Sequence, residues 1–290
     1  MVFYLVLLGG CQGLRAPVAE HGATAPAEHL AVHAQADDDP APPPEPANPP
    51  DKQYVVEAPP LSPEDARRSF VLPPGFEIQL VAAEPQIQKP IQLAFDERGR
   101  LLVTMSTGYP FGPPKGQAPQ DKLAMIDVDG ESGAARSVTI FAEDLDIPSA
   151  IEAVPGGGVI VASGKAVLLL RDTDGDGRAD RREIRYDGFR RDDTHEMTNS
   201  FAWGADGWLY AVHGIGNNSD VRDRAGRVTP VHRGNTFRLR PDGGEVQVYA
   251  PGMTNPWGLA FDNLGNLFGA DCESRPLWQI VRNLRYMSLF

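Results

Sequence analysis

The chain has 290 residues, 41% hydrophobic and 8% aromatic, enough for a sizeable core in one or two domains. Its 30 glycines and 27 prolines favour a turn-rich all-β fold over a helical one. A net charge of −12 argues against nucleic acid, two cysteines exclude a disulfide framework, and no apolar run reaches the ~18 residues of a spanning helix.

The chain starts MVFYLVLLGGCQG. Its apolar run ends in Leu8-Gly9-Gly10-Cys11, the shape of a bacterial lipobox, in which small residues permit cleavage and the Cys11 thiol takes a lipid. The alternative is a frayed hydrophobic terminus. On the lipobox reading the protein is exported to the cell envelope and touches membrane only through that lipid anchor. Residues 12–60 carry eight Asp/Glu against two Lys/Arg and are dominated by Pro and Ala, as in DDDPAPPPEPANPP. They have too few large apolar groups to offset their ordering entropy, so an extended tether is expected. His21, His29 and His33 in it read as solvated. CxxCH does not occur, so covalent haem is not expected in this chain.

From residue 76 one pattern recurs. IQLAFDERGRLLVT, IEAVPGGGVIVAS, FAWGADGWLYAV and GLAFDNLGNLFGA each read as strand, glycine turn and strand, with turns at Gly99, Gly157, Gly207 and Gly265. Between them lie strand, Asp-Gly turn and strand. Four strands per ~50 residues is the signature of a β-propeller blade. Naming strands A to D outward from the axis, blade one is expected at 91–143, blade two at 149–187, blade three at 198–250 and blade four from 254. FEIQLVAAEP at 76–85 reads as a lone D strand. The ending RNLRYMSLF, near strand C of blade four, reads as a truncated six-bladed ring with about four blades present.

DTDGDGRADRRE at 172–183 fills the offsets of a twelve-residue calcium loop with Asp172, Asp174, Asp176, Asp180 and Glu183. Its flanks are strands, which makes it a C–D turn. It holds a structural Ca²⁺ or stands as a polar turn, and in neither case is it a sensor. Because strands alternate direction, A–B and C–D turns share one rim and D–A and B–C connections share the other. The acidic loop therefore belongs opposite the connections that carry His195, Asn199, Asn255, Trp257, Asp271 and Cys272. A long irregular B–C loop is expected at 213–235, carrying His213 and His232. His195 is a general base or a loop hydrogen-bonder, and residue type favours the second. Cys272 reads as a small packing residue. His213, His232 and Asp271 together are a weak metal candidate.

LPPGFEIQLVAAEP, LLLRDTDGDGRADRREIRYDGF, DTHEMTNSFAWGADGWLYAVHG and NPWGLAFDNLGNLFGADCES resemble the membrane-bound dehydrogenase domain family, bacterial propellers related to soluble quinoprotein glucose/sorbosone dehydrogenases. The resemblance implies a six-bladed propeller that oxidises a sugar or polyol and passes electrons to a cytochrome or haem-domain acceptor. It implies His195 as base beside pyrroloquinoline quinone and Asn255 as a cofactor contact. Trp257, which stacks a flat ring or fills the blade interface, and His213 are further cofactor-binding candidates by residue type. The relatives' G-x-R-N motif reads Gly252-Met253-Thr254-Asn255 here, so a cationic clamp is replaced by Thr254. A non-catalytic propeller binding carbohydrate or protein is the alternative. A lactonase-like metal hydrolase, with Glu84, Asn199, Asn255 and Asp271 as ligands, is another.

Overall fold

The structure, a computed structural model, describes residues 3–5 and 60–286. The Cys11 lipobox, the tether up to residue 59 and residues 287–290 lie outside them. The elements run β1 (Phe3–Leu5), α1 (Pro63–Ser69), β2 (Gln79–Ala82), β3 (Pro90–Phe95), β4 (Leu101–Met105), β5 (Asp121–Val128) and β6 (Ala135–Leu145). They continue with β7 (Ala150–Val154), β8 (Gly158–Ser163), β9 (Ala166–Arg171), β10 (Arg181–Asp187), a 3₁₀ turn (Thr194–Glu196), β11 (Asn199–Trp203) and β12 (Leu209–Val212). Last come β13 (Asn218–Arg222), β14 (Val228–His232), β15 (Thr236–Leu239), β16 (Val246–Ala250), β17 (Pro256–Phe261), β18 (Leu267–Asp271) and β19 (Trp278–Ile280).

Four antiparallel sheets follow one another as blades: β3–β6, β7–β10, β11-β12-β15-β16, and β17–β19. Their innermost strands β3, β7, β11 and β17 touch in series, which makes the array radial and the fold a β-propeller. The glycine turns predicted from the repeat are present. Gly99, Gly157, Gly207 and Gly265 all lie at φ between 74° and 84°, a left-handed geometry that a β-carbon penalises. In two of these turns an aspartate supplies the rest. Asp96 Oδ1 accepts the N–H of Arg98 and Arg100, and Asp262 Oδ1 accepts those of Leu264 and Asn266.

Strands β4, β8 and β12 are buried at every position, because each lies mid-sheet with a blade or loop packed on both faces. Between blades one and two the core is Leu102, Leu123, Phe141, Ile151, Val159 and Leu170. Between two and three it centres on Ile160, Leu169, Tyr186, Leu209, Phe237 and Leu239. Each of these side chains contributes about 1.5–3 kcal/mol by leaving water. The strand β2 packs on blade one through Val81 and Ala82, with Ile87 from the segment after it in the same cluster, and pairs with β1.

One expectation is corrected. Residues 213–235 are not an irregular loop. They hold the hairpin β13–β14, which joins the outer edge of blade two through Asp187 opposite Arg222 and makes a six-stranded sheet. Its first strand alternates exposed and buried, with Ser219 and Val221 inward, but Asn218, Asp220 and Arg222 disguise that period as loop-like polarity. Its turn, Asp223 to Arg227, repeats the chemistry of Asp96 to Arg100: Oδ1 accepts the N–H of Ala225 and Arg227, and Gly226 has φ 81°.

Candidate functional site

The D–A and B–C connections meet at one rim around a cavity of about 790 Å³. Blade one contributes Lys89, Ser106 and Tyr109, the segment before blade three contributes His195, and blade four contributes Asn255, Trp257, Asp271 and Cys272. The sequence-predicted residues on blade four and His195 are thus brought to one wall.

His195 is held from below. Asp193 caps the 3₁₀ turn, accepting the His195 N–H at 2.9 Å and facing its ring Nδ1 at 3.0 Å. With Nδ1–H donating to that carboxylate, Nε2 carries the free lone pair. Asn217, fully buried, fixes the segment. Its Oδ1 accepts the N–H of Asp192 and Asp193, and its Nδ2 donates to the carbonyls of Asp193 and Glu196. Thr194 donates its hydroxyl to the Pro110 carbonyl, tying the segment to blade one. Tyr109 stands edge-on to the imidazole, ring centres 5.6 Å apart.

Asp271 joins the two connections of blade four. Its Oδ2 accepts the Thr254 N–H at 2.8 Å, and its Oδ1 accepts those of Asn255 and Glu273 at 3.2 and 3.0 Å. Asn255 donates to Glu273 at 3.2 Å, while its buried Oδ1 has no partner among the described residues. Cys272 is exposed on the wall rather than packed away, and its Sγ donates to the Asn255 carbonyl.

The rim is acidic. Burial, helped by repulsion from Asp193 and Glu273, raises the Glu196 carboxyl above its ordinary value against the opposing pull of the Gly216 N–H that donates to it. Burial and then Asp193 raise the Tyr109 phenol, and burial and the neighbouring carboxylates Asp271 and Glu273 raise the Cys272 thiol. A thiol so shifted is a poor nucleophile.

Other expected residues lie elsewhere. His213 is fully buried and does not line the cavity. Its Nδ1 donates to the Gly214 carbonyl, its Nε2 faces the Ser219 hydroxyl at 2.7 Å, and burial pushes it down to about 4. His232 sits on β14 near Asp220, so His213, His232 and Asp271 do not form a ligand set. Of the four hydrolase candidates, Asn255 and Asp271 line the cavity but Glu84 and Asn199 do not. Asn199 spends its amide on the carbonyls of Met197 and Pro256. The acidic loop lies on the β9–β10 turn, the other rim. There Asp172, Asp174 and Asp176 bring oxygens within 4.8 Å of one another. Asp180 instead accepts from Thr173, and Glu183 pairs with Arg181 and Arg185. Three convergent carboxylates suit a hard dication.

Lys89, Ser106, Tyr109 and Asn217 were missed by sequence reasoning. The first three come from blade one, more than 80 residues before His195, and no local pattern marks them. The DRAGR turn, a copy of DERGR, was the available sign of the hairpin that carries Asn217 at its foot.

Pyrroloquinoline quinone is a tricarboxylate. The described wall offers it one lysine, Lys89, whose Nζ already donates to the Thr107 carbonyl, and sets the Asp271 carboxylate against it. Thr254, at the arginine's place, is fully buried with an unpartnered hydroxyl and does not reach the cavity. The described residues therefore do not fit this quinone.

The fold is shared with solved structures at low identity. A glucose dehydrogenase-like oxidoreductase of Thermus thermophilus is 20% identical with a TM-score of 0.48, the match covering 69% of this chain and 64% of that one. The aldose sugar dehydrogenase of Streptomyces coelicolor, solved with bound pyrroloquinoline quinone, is 19% identical with a TM-score of 0.49, covering 69% and 62%. A carbohydrate-active enzyme of family AA12 from Trichoderma reesei is 12% identical with a TM-score of 0.50, covering 71% and 50%. The chain thus spans less than two thirds of the length of each. No curated protein matches its sequence. Residues 62–289 match one family model across the whole folded region, and the chain belongs to that family, the domain of unknown function DUF7133.

Proposed function

We propose that the rim cavity binds a sugar or polyol and that His195 takes the hydroxyl proton as the alcohol is oxidised, making the protein a dehydrogenase-type propeller. The observation that carries this reading is the Asp193–His195 pair in the cavity wall: a carboxylate orients the imidazole and leaves Nε2 for substrate. Trp257 and Pro90 offer apolar surface for a sugar's C–H face, and the orphan Asn255 Oδ1 offers an acceptor for a hydroxyl. Loss of the hydroxyl proton and the carbinol hydride leaves a carbonyl, so a two-electron acceptor must take the hydride. The described residues supply the base and not that acceptor, so the hydride falls to an organic two-electron cofactor, from which a haem-carrying partner would take the electrons one at a time.

Dye-reduction assays on the full chain, over a panel of aldoses and polyols, with and without added quinone and Ca²⁺, test this. The expected result is substrate-dependent reduction that falls about 10²-fold or more in His195→Gln. Sugar binding by calorimetry with no reduction of any acceptor would make this a non-catalytic binding propeller. Metal-dependent lactone hydrolysis lost in Asp271→Ala would make it a hydrolase. On the same reading the protein is exported and anchored through Cys11, with a structural Ca²⁺ on Asp172, Asp174 and Asp176. Lipid labelling abolished by Cys11→Ser tests the anchor.

A further inference from the structure

A second cavity, of about 680 Å³, opens at the opposite rim, where the A–B turns of three blades meet. Phe95 and Glu97 come from blade one, Glu152 from blade two and Trp203 from blade three. The rim chemistry proposed above uses none of them.

Glu152 lies on the inner strand β7 and is only partly open to solvent. Among the described residues no side chain bonds its carboxylate. The Ala153 N–H alone favours its charge, and burial outweighs that and pushes the carboxyl up to about 7. The charged groups around it do not compensate. Asp96 is already committed to Arg100 at 2.7 Å, and Glu97 adds a second negative charge. Arg171 and Arg240 reach the lining turns, each 4.0 Å from where a β-carbon on Gly156 or Gly207 would stand, but neither bonds the Glu152 carboxylate. Two aromatic residues line the same cavity. Trp203 spends its indole N–H on the Ala153 carbonyl at 3.0 Å, which fixes the ring in the wall, and Phe95 is 45% exposed.

A partly buried carboxylate that no cationic side chain bonds, in a cavity also lined by two aromatic residues, is the complement of a positive charge on an apolar body. A bare dication would want several free oxygens, and those of Asp96 are occupied. A neutral sugar would leave the charge uncompensated. We propose that this mouth of the propeller binds a small organic cation, with Glu152 as its counter-ion and Trp203 and Phe95 as its cation–π walls.

Calorimetric titration of the full chain with benzyltrimethylammonium at pH 8 tests the site, with benzyl alcohol as neutral control. The expected result is binding of the cation, at least about tenfold weaker in Glu152→Gln and weaker again in Trp203→Ala, with benzyl alcohol and glucose failing to compete. Unfolding of Glu152→Gln is followed in parallel, and because the change removes an uncompensated charge the variant should be no less stable than the parent. As a readout independent of affinity, the Glu152 carboxyl, followed by carbon NMR, should titrate at lower pH in the presence of the cation. Equal binding in Glu152→Gln, no binding at all, or displacement by glucose would overturn the proposal.

Discussion

The Asp193 carboxylate holds both the backbone and the ring of His195: one oxygen accepts the N–H at 2.9 Å and stands 3.0 Å from Nδ1. The turn is therefore built by the same contact that sets the imidazole tautomer. If His195 is the base, Asp193→Asn keeps an acceptor for the N–H but loses the charge that stabilises a protonated ring. Turnover should fall by about 10²-fold with KM little changed, and the unfolding midpoint should barely move. A residue that only shaped the loop would lower both stability and substrate affinity.

Two buried groups give stability opposite slopes with pH. His213 is depressed from 6.5 to about 4 by burial, so the unfolded chain takes up its proton first as pH falls. Its contribution is whole above pH 6.5, is lost between there and about 4, and amounts to about 3 kcal/mol at most. Glu152 is raised from 4.5 to about 7, so its penalty is absent below 4.5 and complete above 7, with a similar upper bound. Between pH 4.5 and 6.5 the two windows overlap and the opposite slopes cancel, so chemical denaturation from pH 4 to 8.5 should show these two groups as a nearly flat profile. Glu152→Gln should uncover the His213 slope, a rise in stability from about pH 4 to 6.5.

The acidic loop should respond to calcium without touching the rim cavity. Saturating Ca²⁺ at 100 times its dissociation constant adds about 2.7 kcal/mol of stability. Thermal melts should rise with Ca²⁺ and not with Mg²⁺, and Asp174→Asn should remove most of the rise. Activity measured at a temperature well below the melt should be unchanged by the same substitution. No Ca²⁺-dependent shift would make the trio a plain polar turn.

Gly188, at φ 87°, lies where the hairpin docks on blade two, and a β-carbon there would run into the Asp220 carbonyl. Gly188→Ala should cost about 1–3 kcal/mol and loosen the hairpin first. Limited proteolysis should then cut at the exposed turn near Gly226 in the variant, at a protease dose that leaves the parent intact. Because Asn217 at the hairpin's foot fixes the His195 segment, the same variant should lose activity.

The propeller was legible because its signals are local. A turn that needs a left-handed residue needs glycine, and an Asp three positions before it binds the turn's own N–H groups, so Asp96 to Arg100 and Asp262 to Asn266 could be read without a partner in view. Strand parity then carried His195, Asn255, Trp257 and Asp271 to one rim and the Asp172 loop to the other. His213 misled because a histidine at a strand end looks the same whether it faces a cavity or is sealed beneath a hairpin. The hairpin itself was hidden because its outward positions are polar, although its DRAGR turn repeats DERGR.

Glycine positions, aspartate turns and alternation of apolar residues are properties of neighbours along the chain, and they determined the blades, their order and their faces. Which side chains share a cavity depends on contacts across 80 residues or more, as between Tyr109 and His195. Whether a charge is matched or stranded, as Asp193 and Glu152 are, depends on how much water the packed blades exclude. Those were decided only when the sheets came together around the axis.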